Sequence, residues 1–237
     1  MINIFKDPNE LARRAAAYFV TIAHKDFCTV ALSGGSTPKI LFQLLADPKQ
    51  SFREQIPWSK IHFFWSDERH VPPDSAESNY RMAHEAMLSH VPVPESNVHR
   101  VRGENPNANE AAAEYEEVLK QVTGQTLPRL DLVLLGLGSD GHTASIFPRS
   151  EVLQETNRLV AAPWVEKLNT HRITMTLPLL NNAASVVFLV SGAEKAQIVK
   201  DVLHGPKQYP AQYVEPANGE LVWMLDKAAA ALISRNE

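Results

Sequence analysis

Asp140 and His142 stand two residues apart in the run Gly136-Leu137-Gly138-Ser139-Asp140-Gly141-His142-Thr143. Histidine titrates near neutral pH and can serve as a general base, and a neighbouring carboxylate can fix its ring and support its charge. Residues 131–137, Asp-Leu-Val-Leu-Leu-Gly-Leu, are apolar enough to predict a buried strand leading into this run. Glycines just past a strand let the backbone turn sharply and approach a ligand closely. In an open parallel sheet, ligands bind at that edge. Asp140, Asp67 and Glu68 are all candidates to orient His142, and the sequence does not choose among them.

Three other strand-to-loop junctions carry residues of the same kind. Ser33-Gly34-Gly35-Ser36-Thr37-Pro38 combines glycines, hydroxyls and a helix-starting proline. The exposed N–H groups and the helix dipole of such a junction attract a phosphate, which makes Gly34, Gly35, Ser36 and Thr37 candidate ligands. The same residues would also serve as a plain strand–helix turn. The junction is neither a Walker loop, since no Gly-Lys-Ser/Thr follows, nor a G-x-G-x-x-G dinucleotide fingerprint. In Asp67-Glu68-Arg69, the arginine could hold a phosphate and Asp67 a sugar hydroxyl or a catalytic partner, unless the three form a surface salt-bridge cluster. Lys195 opposes the dipole of the helix it begins, which fits a nearby anion or a plain solvated lysine equally well. Arg172, beside His171, is a candidate second phosphate ligand or an ordinary exposed base. His70, Asn79 and Tyr80 are further candidates to line the site, while Trp65, Trp164 and Trp223 read as packing residues.

For these junctions to meet, parallel strands must place them on one edge. Asp7-Pro8 forms a good helix start, and the helix is predicted to reach residue 23 with Leu11, Ala15, Tyr18, Phe19 and Ile22 on one face. Strands are predicted at 27–32, 60–65, 131–137 and 185–190, with shorter ones at 159–163, 172–177 and 221–225. Helices are predicted at 38–45, 79–89, 108–121 and after Lys195 to about residue 202, and a short alanine-rich helix ends the chain. Residues 66–70 read as a loop. Alternating strands and helices predict an α/β fold with a mostly parallel sheet and helices on both faces. One domain is expected over residues 1–237.

Composition narrows the function. The 237 residues carry 44% hydrophobic and 21% charged residues, as an ordinary globular protein does. A formal net charge of −4 argues against general affinity for nucleic acid or an anionic membrane, while leaving room for a local cationic site. The single cysteine, Cys28, cannot form an intrachain disulfide, and a reducing, cytoplasmic setting fits. There is no signal-peptide core or membrane-spanning run. Nine histidines show no H-E-x-x-H or other tight ligand spacing, so no metal is expected. The absence of a G-x-S-x-G elbow argues against a serine hydrolase.

The motifs 31–38, Trp65-Ser66-Asp67-Glu68-Arg69-His70 and 136–148, together with Arg172-Ile173-Thr174 and Gly192-Ala193-Glu194-Lys195-Ala196, occur in one order across most of the chain. In that order and spacing the chain resembles the 6-phosphogluconolactonase family. The related glucosamine-6-phosphate deaminases carry a glutamate just before the proline of the Asp-Gly-His segment, where this chain has Phe147, and usually a tyrosine where it has Arg69. The resemblance implies a Rossmann-like α/β fold similar to the sugar-phosphate isomerase and deaminase group, no metal and no organic cofactor. It implies a phosphosugar lactone as substrate, hydrolysed by water that His142 activates, with Asp140 orienting His142 or binding sugar hydroxyls. Gly34, Gly35, Ser36, Thr37, Asp67, Glu68, Arg69, Arg172 and Lys195 are then expected to bind substrate. The expected assembly is a monomer or a weak homo-oligomer. A deaminase-like enzyme and a non-catalytic phosphosugar-binding module are the alternative readings.

Overall fold

The computed structural model describes residues 1–233; residues 234–237, at the end of the span expected to form one domain, lie outside the described residues. In chain order the strands are β1 (Ile2–Phe5), β2 (Cys28–Leu32), β3 (Ile61–Trp65), β4 (Asp67–Arg69), β5 (Leu132–Leu135), β6 (Val160–Ala161), β7 (Trp164–Val165), β8 (Thr170–Met175), β9 (Ser185–Val190) and β10 (Glu220–Asp226). The helices are α1 (Pro8–Ala23), α2 (Ser36–Ala46), α3 (Asn79–Ala86), α4 (Ala108–Thr123), α5 (Leu177–Leu180) and α6 (Ala196–His204). One sheet runs β1-β10-β9-β5-β2-β3, and every neighbouring pair in it is parallel. Strands buried on both faces read as continuous apolar runs. All positions of β2, β5 and β9 are indeed buried.

Local chemistry sets the helix boundaries. The Asp7 side chain accepts from the Glu10 amide and Pro8 opens α1, whose buried face includes Leu11, Ala15 and Phe19. Tyr18 and Ile22 pack against the core only in part. The Tyr18 hydroxyl instead bonds Ser185 and Glu220 at the start of β9 and β10. Helix α4 is capped by Asn107 and ends on the left-handed Gly124. Helix α3 stops at Ala86, and residues 88–90 tighten into a 3-10 turn, so it is shorter than the pattern over 79–89 predicts. Cys28 is buried among apolar neighbours, and burial pushes its thiol up to about 12. Among the described residues, no helix is long and apolar enough to cross a membrane.

Further features differ from the sequence reading. Strand β1 extends the parallel sheet beside β10; its four residues are too few to show an apolar period. Asp67–Arg69 is not a loop but β4, paired antiparallel with β8 in a second, smaller sheet that also holds β6 and β7. Charged residues hide a strand whose pairing is set by its partner. The 27–32 strand begins one residue later and the 131–137 strand contracts to 132–135. The alanine-rich tail forms turns hung from Asp226 rather than a helix: the Asp226 carboxylate accepts the Ala229 amide and its carbonyl accepts that of Ala230.

The core centres on β9 and β10, where Phe188 and Trp223 stack with ring centroids 3.9 Å apart and planes 2° from parallel. Trp223→Ala empties that volume. A loss of about 3–5 kcal/mol is expected, read as a lower urea midpoint with an unchanged m-value.

Candidate active site

Parallel strands in register end together. Leu32 of β2 pairs with Trp65 of β3, Leu135 of β5 with Phe188 of β9, and Val190 of β9 with Leu225 of β10. The loops leaving these ends surround a cleft of about 430 Å³. Gly34, Gly35, Ser36, Thr37, Asp67, Arg69, His142, Arg172 and Lys195 all line it. Glu68 and Asp140 do not.

One end of the cleft is built for an anion. Gly35 is the N-cap of α2 and offers no side-chain cap, so Ser36 and Thr37 stand in the first turn with their amides turned to the helix start. The helix thus begins two residues before Pro38. The Thr37 hydroxyl shares a hydrogen bond with Ser191, at 2.7 Å, tying this loop to the one after β9. The Thr37 hydroxyl is thus engaged within the protein, which leaves its amide as the group free at the helix start. Arg69 and Arg172 face each other as register partners across the β4–β8 ladder. Like charges so placed repel. Arg172 is buried, and burial first, then Arg69, pulls its pKa down. Arg69 donates to the Glu77 carbonyl, while the Arg172 guanidinium has no hydrogen-bond partner among the described residues. With Lys195, these groups form a cationic cluster that an anion with several oxygens would satisfy.

The other end holds the acid–base pair. Asp140 Oδ1 meets His142 Nδ1 and also accepts the His142 amide. Asp140, not Asp67 or Glu68, therefore orients His142. With Nδ1–H donating to the carboxylate, Nε2 is the basic nitrogen of a ring that lines the cleft. The ring also lies against Phe147, centroids 4.3 Å apart. A Cβ on Gly138 would fall 2.0 Å from His142 Nδ1, so only glycine leaves room for the pair. Two residues after His142, Ala144 takes a left-handed φ of 46°, local strain in the wall of the cleft. The other oxygen of Asp140 accepts from Lys167. Burial raises the Asp140 pKa, but Lys167 and His142 outweigh it and hold the carboxyl down to about 2.

Asp67 and Glu68 diverge. Asp67 faces the cleft, with Oδ2 accepting from the Ser145 hydroxyl at 2.6 Å and its carbonyl accepting from Asn79 at 2.9 Å. Glu68 points the other way, as alternate residues of a strand do. It accepts the amides of Arg69, Asn79 and Tyr80 and the Ser78 hydroxyl. Burial raises its pKa against those amides. The expectation that Glu68 binds substrate is corrected: its carboxylate anchors the start of α3, and through it Asn79. His70 is also outside the cleft, bonded to the Asn105 carbonyl, and Tyr80 packs on Trp65. Lys167, Ser145, Leu168 and Glu194 line the cleft without having been expected. Among the described residues, no three His, Cys, Asp or Glu side chains gather to hold a metal ion.

Comparison with known proteins agrees with this geometry. Residues 6–223 match the family described as glucosamine-6-phosphate isomerases/6-phosphogluconolactonase. The chain is 44% identical over 214 residues to a Synechocystis 6-phosphogluconolactonase, covering 88% of this chain and 85% of the relative. It is 40% identical over 244 residues to a Nostoc 6-phosphogluconolactonase, covering 98% of both. The solved structure of 6-phosphogluconolactonase from Trypanosoma cruzi superposes with a TM-score of 0.87 at 32% identity, covering 98% of this chain and 96% of that one.

Two outcomes follow from the carboxylates. Glu68→Ala leaves buried donors unpaired, for an expected loss of about 2–4 kcal/mol in urea unfolding. For Asp140, a folded pKa of about 2 below the ordinary 3.8 means stability that is present above 3.8 and lost as pH falls toward 2. Urea midpoints measured from pH 5 to pH 2 should therefore fall less steeply in Asp140→Asn than in the parent protein.

Proposed function

The chain belongs to the glucosamine-6-phosphate isomerase and 6-phosphogluconolactonase family, and from that membership we propose that it hydrolyses 6-phospho-D-glucono-1,5-lactone to 6-phospho-D-gluconate, a step of the oxidative pentose phosphate pathway. The observation that carries the reading is the Asp140–His142 pair facing a cationic, amide-lined cradle in one cleft. A cleft of about 430 Å³ is of small-molecule size. In this reading the protein works in the cytoplasm, as a monomer or a weak homo-oligomer.

The phosphate docks at the start of α2, on the amides of residues 35–37, with Arg172, Arg69 and Lys195 supplying charge. Asp67, held by Ser145 and Asn79, accepts from sugar hydroxyls. His142 Nε2 takes a proton from a water as that water's oxygen attacks the lactone carbonyl carbon. In the tetrahedral intermediate the negative charge rests on the former carbonyl oxygen. As it collapses, the bond from carbon to ring oxygen breaks, and imidazolium returns the proton to that oxygen. The new carboxylic acid ionises into solvent, and its charge favours release from the acid–base end, where Asp140 is already anionic. Phe147 stands against His142, in the place where the resemblance gives deaminases their second acid. That substitution favours lactone hydrolysis over ring-opening deamination.

The test generates the lactone in place from glucose 6-phosphate and follows its loss, with the unaided rate subtracted. His142→Ala should lower turnover by about 10²–10⁴-fold, and Arg172→Ala should mainly raise KM. Unchanged turnover in His142→Ala overturns the base. Release of ammonia from glucosamine 6-phosphate, without lactone hydrolysis, overturns the function.

A further inference from the structure

Lys167 is the residue of the cleft that neither the motifs nor the reaction scheme has used. It sits in the turn of residues 166–168, between β7 and β8, and that turn is fixed on both sides. Trp164 and Val165 pair with His171 and Thr170 across the hairpin, the Trp164 indole donates to Glu166, and Asn169 closes the turn in a left-handed conformation with φ 49°. The ammonium of Lys167 reaches out of this turn to Asp140 Oδ2 and lies 4.5 Å from the centroid of the Phe147 ring. Phe147 in turn lies against His142, and His142 is bonded to Asp140 Oδ1. The four side chains thus close a ring of contacts, with the carboxylate divided between a permanent cation and an imidazole.

We propose that Lys167 is a positioning residue for the reaction: by sharing Asp140 with His142, it fixes the carboxylate and sets the pH at which His142 becomes a competent base. The inference rests on the assignment of His142 as that base. A carboxylate bonded to a neutral ring stabilises the imidazolium that forms when the ring takes a proton. A second cation on the same carboxylate offsets part of that stabilisation. Lys167 therefore keeps the imidazole less basic, and so unprotonated at lower pH, than Asp140 alone would leave it. The strongly acidic character of Asp140 fits a carboxylate with two such partners. The cation–π contact with Phe147 helps hold the ammonium, whose ion-pair partner among the described residues is Asp140.

Other charges surround the pair, and none is bonded to Asp140 as Lys167 is. Asp67 and Arg69 reach the cleft from β4, Arg172 from β8, and Glu194 and Lys195 from the turn after β9. Arg149 of the same loop and Asp201 of α6 share with Asp140 the neighbouring hollow. Tyr209 borders that hollow and packs against Gly141.

The experiment titrates the His142 ring by NMR in the full-length protein without substrate, and records the pH profile of kcat/KM for lactone hydrolysis. Parent, Lys167→Met and Lys167→Arg proteins are compared. Lys167→Met should raise the His142 midpoint by roughly half a unit to one unit and move the acid limb of the profile up by the same amount. Just below the parent's limb, that shift lowers kcat/KM by about three- to tenfold. Lys167→Arg should restore both. An unmoved His142 titration in Lys167→Met overturns the proposal, as does a raised KM with the limb in place, which would make Lys167 a substrate ligand. A midpoint that moves while the limb stays overturns instead the assignment of His142 as the base, so the two failures are distinguishable.

Discussion

Burial of the central strands on both faces is the constraint from which the site follows. Because β2, β5 and β9 leave no solvent-facing side, their chain direction is fixed by crossovers that return over the sheet, and all their carboxyl ends fall on one edge. Chemistry-bearing residues more than a hundred positions apart then meet without any need for direct contact along the chain. The Thr37–Ser191 hydrogen bond spans 154 residues, and the Ser145–Asp67 bond spans 78. A mostly buried sheet thus supplies the rigidity, and irregular loops supply the geometry.

Within that edge, carboxylates act mainly on the protein itself. Glu68 holds the start of α3, Asp140 holds His142, and the buried Asp226 accepts the amide of Gly192, the N-cap of the turn that carries Lys195. Cations, by contrast, are left facing the cleft. A chain with net charge −4 can present cations in this way because Glu68, Asp140 and Asp226 are turned into bonds within the protein, although Glu194 also lines the cleft. Asp67 is intermediate, tied to Ser145 and Asn79 yet open to the cleft.

What could be read from sequence divides along the same line. The glycine-rich junctions and the long apolar strands carry their own signals, so the parallel fold and the gathering of these junctions on one edge were legible in the sequence, while the choice of Asp140 over Asp67 and Glu68 as the partner of His142 was not. Strand β4 was not, because Asp67, Glu68 and Arg69 are poor strand formers that pair only through β8, more than a hundred residues away. The same pairing turns Glu68 from the cleft while Asp67 and Arg69 face it, a distinction of alternate faces that vanishes when the segment is read as a loop. Lys167 was silent for a different reason. Beside Glu166, in a turn, it looks like any solvated lysine, and its partners at 140 and 147 lie on another loop with no fixed spacing to it.

The small antiparallel sheet therefore does what the large one cannot. Parallel strands bring loops to an edge, but only the β4–β8 ladder sets two guanidinium groups opposite each other, one of them buried. That juxtaposition is repulsive, and the charges of Asp67, Glu77 and Glu68 offset it only in part, since burial and Arg69 still pull the Arg172 pKa down. A side-chain pair held in this way at a cost to the fold is an electrostatic arrangement made in advance of its ligand. Under the proposed function, a dianionic phosphate between Arg69 and Arg172 would remove the repulsion as it forms its own bonds. The same small sheet also carries, in the β7–β8 turn, the lysine that bonds Asp140.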